Sequence, residues 1–136
     1  VADARPPRGV IATSVVIDLP TIDSARLPVE VAISAITLAE LAAGPHANSD
    51  SAERAKHQDR LQRVESTFEP LPVDASVARA YGRLYAATVA SGRKARGRRA
   101  TDLLIAATAL AAGLPLYTRH PDDFIGLSDL LEIVSI

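Results

Sequence analysis

Short aliphatic runs alternate with longer amphipathic stretches along almost the whole chain, and acids stand where one gives way to the other. Residues 9–12 and 31–35 read as buried strands, 71–73 as a short edge-like strand, 116–117 as a strand and 131–136 as the last one. Between them fall a short helix or turn at 14–19 ended by Pro20, and helices from about Thr37 to Gly44-Pro45, over 53–66, over 75–90 and from Ala100 or Thr101 to Ala112. Ser51 is a possible cap for the third of these, Asp74 is a good N-cap for the fourth, Gly113 closes the fifth, and Pro121 starts a last short helix. Strands that alternate with helices predict an α/β domain: a parallel sheet of about four to five strands with helices on both faces. Residues 1–8 read as a flexible N-terminal tail and 9–136 as the domain. In such sheets a ligand crevice lies outside the carboxyl ends of the strands.

The acids fall at that end. Glu40, Asp102 and the pair Asp122 and Asp123 are each expected in the first turn of a helix that follows a strand. A fourth equivalent place, in Gly9-Val10-Ile11-Ala12-Thr13-Ser14-Val15-Val16, holds Ala12. Carboxylates gathered from several strand ends suggest a divalent-cation pocket, because hard cations take oxygen ligands. Each acid also has a structural explanation. Glu40 completes the capping-box pattern Thr37-Leu38-Ala39-Glu40. Asp102 and the Asp pair would favour a helix N-terminus electrostatically. The functional reading rests on the conjunction.

Composition narrows the rest. At 136 residues the chain is long enough for one domain that buries roughly two-thirds of its unfolded surface. With 48% hydrophobic but only 4% aromatic residues, its core must be aliphatic. Cysteine is absent, which excludes disulfides and thiolate metal sites. No apolar run reaches the ~18 residues of a membrane span, and no signal-peptide segment is visible, so a cytoplasmic protein without a membrane partner is expected. Methionine is also absent, position 1 included, which implies a removed first residue or an unusual start codon. The net charge of −1 gives no general reason for nucleic-acid binding, but Ser91-Gly92-Arg93-Lys94-Ala95-Arg96-Gly97-Arg98-Arg99 places five cations in nine residues just before Asp102. Cations beside a carboxylate-held metal suit a phosphodiester substrate. The histidines lack metal-ligand spacing; His46 and His57 read as surface residues, whereas His120 lies beside the Asp pair. Neither a phosphate-binding Gly-rich loop nor a Gly-x-Ser-x-Gly elbow occurs.

Four segments together resemble the PIN-domain ribonucleases, and within them the VapC-type toxins of toxin–antitoxin pairs. They are the Ala12-Thr13-Ser14 run, Ile36-Thr37-Leu38-Ala39-Glu40-Leu41, Asp102-Leu103-Leu104-Ile105-Ala106-Ala107-Thr108-Ala109, and Tyr117-Thr118-Arg119-His120-Pro121-Asp122-Asp123-Phe124. The family pattern is Asp-Thr-Ser, a Glu after a buried strand, an Asp opening an Ile-Ala-Ala helix, and Thr-x-Asn-x-x-Asp-Phe. The resemblance implies a metal-dependent endoribonuclease using Mg²⁺ or Mn²⁺. Asp102 would be a direct ligand, Asp123 would complete the acidic pocket, and Glu40 would orient or deprotonate the attacking water. Thr13, Arg96, Arg98, Arg99, Thr118 and His120 would contact RNA. It also implies a VapB-type antitoxin and a homodimer, with the helices at 51–64 and 75–90 as possible surfaces.

Two positions depart from the pattern. His120 stands for the family's Asn, and Ala12 stands for the first metal-site Asp. The second departure implies an impaired enzyme, through an engineered or a natural replacement. The alternative is a non-catalytic protein that binds RNA or an antitoxin.

Overall fold

A computed structural model of the protein describes residues 5–136. Four strands form one parallel sheet in the order β2-β1-β3-β4: β1 is Arg8–Ile11, β2 Glu30–Ala32, β3 Leu116–Thr118 and β4 Ile133–Ser135. The helices are α1 (Thr13–Asp18), α2 (Ala35–Ala43), α3 (Ser51–Thr67), α4 (Ala75–Ala90) and α5 (Arg98–Ala112).

The two central strands sort their side chains by the two-residue period of a pleated strand. Val10 and Leu116 enter a core with Leu84 of α4 and Leu103, Ala106 and Ala107 of α5. Ile11 and Tyr117 enter the opposite core with Val15, Val16, Leu41 and Val64 of α1, α2 and α3. Helices therefore cover both faces, which is why β1 reads as continuously apolar. Gly9 permits the close approach of β1 to β3, since a Cβ there would meet Tyr117 Cε1 at 2.6 Å. At the end of α5, Gly113 takes φ 69° and its amide reaches the carbonyls of Ala109 and Leu110, turning the chain into β3.

Several expected boundaries move. Helix α2 begins two residues early because Ser34, not Thr37, is its cap: the Ser34 hydroxyl accepts from the Ile36 amide at 3.1 Å. Helix α3 is capped by Asp50, which accepts from the Ala52 amide, and Ser51 is its first residue. Helix α5 begins at Arg98, after Gly97 at φ 68° breaks the chain. Neither Glu40 nor Asp102 thus stands in a first turn, and neither the capping box nor the macrodipole accounts for it. The expected strand at 71–73 reduces to one bridge between Ser34 and Leu71, as Pro72 has no amide proton to extend the ladder. Of the expected tail, residues 1–4 lie outside the described residues. The Pro6 and Pro7 carbonyls accept from the Val29 and Glu30 amides, and Arg8 opens β1. Among the described residues no helix is long and apolar enough to cross a membrane.

Candidate active site

The sheet order creates the crevice. From β1 the chain passes to β2 on one side and later returns to β3 on the other, so the connections leaving β1 and β3 diverge. The carboxyl ends of these two strands form the switch point where α/β sheets bind ligands. A cavity of about 400 Å³ opens there.

Each strand end and its helix contribute one wall. Ala12 follows β1 as the N-cap residue of α1; its amide bonds the Tyr117 carbonyl of β3, and its carbonyl accepts from the Val15 and Val16 amides. Its methyl group is buried in the cavity wall. Thr13 and Ser14 follow it into the lining. Glu40 comes from α2, Asp102 and Arg98 from α5, Thr118 from the end of β3, and His120, Asp123 and Phe124 from the turn beyond it. Asp122 is exposed and absent from the lining, whereas Asp123 is half-buried and faces in.

Hydrogen bonds fix these groups. The Thr13 hydroxyl donates to Glu40 Oε1 at 2.7 Å and lies 3.1 Å from Thr37 Oγ1. The single Thr13 proton thus faces two acceptors, the Glu40 carboxylate at the shorter distance and the hydroxyl of the fully buried Thr37. Behind them, Ser34 and Thr108 hydroxyls meet at 2.9 Å and tie the cap of α2 to α5. That bond sets Glu40 relative to Asp102. The turn bearing Asp123 is held by two arginines: Arg93 donates to the Asp122 carbonyl at 2.7 Å and Arg99 to the Asp123 carbonyl at 3.1 Å.

Electrostatics identify Asp102 as the centre. Burial, and then the neighbouring Asp123 carboxylate, push its pKa up to about 6; Glu40 adds to the rise while Arg98 and Arg99 oppose it. The part of the rise that comes from Asp123 and Glu40 marks negative potential that a hard cation would relieve. The donor set of Asp102 and Asp123 suits Mg²⁺ or Mn²⁺, which bind through one or two carboxylates with water and substrate phosphate completing the shell. Among the described residues no three acid or histidine side chains converge closely enough to hold an ion alone. The methyl group of Ala12 supplies no ligand, and Glu40 is engaged by Thr13.

The expected RNA contacts divide. Thr13, Arg98, Thr118 and His120 line the cavity, and Arg96 and Arg99 do not. Arg96 is exposed in the loop before α5, and Arg99 donates through one guanidinium nitrogen to the Asp123 carbonyl. Thr118 accepts from the His120 amide and so shapes the turn. His57 corrects the surface expectation. Half-buried on α3, it lines the cavity beside Gly44, with Nδ1 sequestered and unbonded among the described residues. Arg60, one turn further along α3, also lines the cavity. Neither reads as a site residue in the sequence, because α3 is polar almost all round and only topology brings it to the strand ends.

Comparisons with known proteins agree with this architecture. The family model described as the PIN domain matches residues 13–125. Ribonuclease VapC5 of Mycobacterium tuberculosis is 39% identical over 131 residues, covering 94% of this chain and 93% of that protein. Ribonuclease VapC8 of the same organism is 40% identical over 85 residues, 62% of this chain and 74% of that protein. The crystal structure of VapBC-5 from M. tuberculosis, a member of the VapBC family of toxin–antitoxin systems, superposes with a TM-score of 0.84 at 39% identity. It covers 96% of this chain and all of the matched chain.

Proposed function

The chain belongs to the PIN-domain family, in its VapC-type branch, and from that premise we propose that it is a metal-dependent endoribonuclease toxin whose activity is impaired by Ala12. The observation that carries the chemistry is the convergence of Asp102, Asp123 and Glu40 on one cavity, with Asp102 raised to about 6 by burial first and by its acidic neighbours second. Asp102 and Asp123 would hold Mg²⁺ or Mn²⁺. The bound ion would polarise the phosphodiester and lower the pKa of the attacking water.

The residues do the remaining work. Glu40, oriented by the donated Thr13 hydroxyl, keeps its second carboxylate oxygen to accept a proton from the attacking water. Arg98 meets the scissile phosphate from α5. His120 and Thr118 border the cavity where a base or sugar edge would lie. Arg99 acts on Asp123 rather than on RNA, by gripping its carbonyl. The missing carboxylate at position 12 leaves two aspartates for the cation. Losing even an outer partner of a metal site costs about 10–100-fold, and loss of a direct ligand is at least as severe.

The structural relative is a member of the VapBC family of toxin–antitoxin systems, which supports a VapB-type antitoxin as partner. A homodimer completes the proposal; Tyr85 and Val89 expose apolar surface on the outer side of α4, while Val77, Ala80 and Leu84 face the core. Sedimentation of the purified chain tests it, and a monomer at all accessible concentrations would remove it.

The deciding experiment compares RNA cleavage by this chain and by Ala12→Asp, with Mg²⁺ or Mn²⁺ and with a chelator. The revertant should cut RNA, the chelator should stop it, and the Ala12 chain should be at least ~10–100-fold slower. Inactivity of a folded revertant on a broad RNA panel would favour a protein that only binds RNA or an antitoxin.

A further inference from the structure

The cavity is acidic at its centre, yet a cation enters it from a direction the basic loop does not explain. Arg60 lies on α3, whose Val64 and Leu61 belong to the core on one face of the sheet, whereas Arg98 lies on α5, which builds the core on the other face. The two arginines therefore reach one cavity from helices packed on opposite faces of the sheet. Arg60 is half-buried. It lines both the acidic cavity and an adjoining groove formed by Val16, Ile17, Leu19 and Phe68. Among the described residues it makes no hydrogen bond or ion pair. A half-buried guanidinium with five unused donors, next to an acidic cavity and still unpaired, is free for an incoming anion. Arg99 and Arg93, by contrast, already donate to backbone carbonyls.

We infer that Arg60 contacts a backbone phosphate of the RNA, so that Arg60 and Arg98 grip the strand at two points in the cavity. The inference rests on the ribonuclease reading and adds an RNA-contacting residue from a helix outside the four family-like segments. A strand held at two phosphates would lie across the Asp102–Asp123 pair instead of pivoting about Arg98, which is what in-line attack at one bond requires.

The test measures binding, not cleavage, and uses the Ala12 chain as it stands. A fluorescein-labelled uridine homopolymer is titrated at several salt concentrations with the parent, Arg60→Met, Arg60→Lys, Arg98→Met and Arg63→Met. Methionine keeps an apolar stem at position 60 and removes the charge. Each lost phosphate contact should reduce the slope of log K against log salt by about 0.7 for a single strand. Arg60→Met and Arg98→Met should each show that reduction, while Arg60→Lys and Arg63→Met keep the parent slope. A parent slope in Arg60→Met with a reduced one in Arg98→Met overturns the assignment of Arg60 and leaves the ribonuclease reading standing. A slope that Arg60→Lys fails to restore overturns it too. A parent with no salt-dependent binding overturns Arg60 and the RNA-contacting role of the cavity together.

Discussion

Asp102 is costly to the fold, and the cost has a pH signature. Its carboxyl ionises near 6 in the folded chain against an ordinary 3.8, so between those values the folded state holds a proton that the unfolded chain has lost. Stability attributable to this group therefore falls as pH rises from about 4 to 6 and stays low above that. Asn at this position cannot ionise. In metal-free buffer, Asp102→Asn should raise the urea midpoint at pH 7.5 and leave it close to the parent at pH 3.5, while abolishing any residual cleavage. An equal gain at both pH values would mean that burial and the Asp123 carboxylate do not set the behaviour of Asp102. The same logic explains why Ala12 is tolerated: a methyl group suits the end of a buried strand, and one fewer carboxylate lessens repulsion in the cluster.

At the level of elements, the capping residues decide where each site group points. Asp74 accepts from the Val77 amide at 3.1 Å and starts α4, as its position before an apolar-periodic stretch implies. Asp74→Ala should lower stability by about 1 kcal/mol in chemical denaturation without changing RNA binding, because α4 packs on α5 away from the cavity lining. A change in RNA affinity equal to that of Arg98→Met would show that α4 transmits to the site. Helix α4 was legible because its cap and its closing segment are local signals. Helix α2 was legible only as a helix. Ser34 and Thr37 are both hydroxyl residues that fit a cap, and only the burial of Thr37 and its bond to Thr13 decide between them. The basic loop misled in the opposite way. Its charge was plain in the sequence, but two of its arginines end on the carbonyls of Asp122 and Asp123, contacts made across 24 to 29 residues. The same contacts help to decide which of the two aspartates faces in, which no local pattern could resolve.

Across the whole molecule, the alternation of strands and helices fixed the class of fold, and the acids at strand ends fixed which end of the sheet to search. What alternation does not supply is strand order. The sequence β2-β1-β3-β4 puts the ends of β1 and β3 side by side, and this adjacency brings Ala12, Thr118 and Asp123 to one cavity. It also draws His57 and Arg60 of α3 to that cavity, although both are distant in sequence from Glu40, Asp102 and Asp123. A site assembled from both halves of the chain links cation binding to global stability, since only the folded chain presents it. A ligand at 100 times its dissociation constant stabilises the state it binds by about 2.7 kcal/mol. Adding Mg²⁺ or Mn²⁺ should therefore raise the thermal midpoint of Ala12→Asp by several degrees, raise that of the present chain less, and leave Asp102→Asn unchanged. Without metal the order should differ. Ala12→Asp adds a fourth carboxylate beside Asp102, Asp123 and Glu40 and should melt below the parent, so the cation reverses the ranking of these two chains. An Ala12→Asp chain whose midpoint ignores both metals would place its added carboxylate outside the cation site, and the impairment assigned to Ala12 would fall with it.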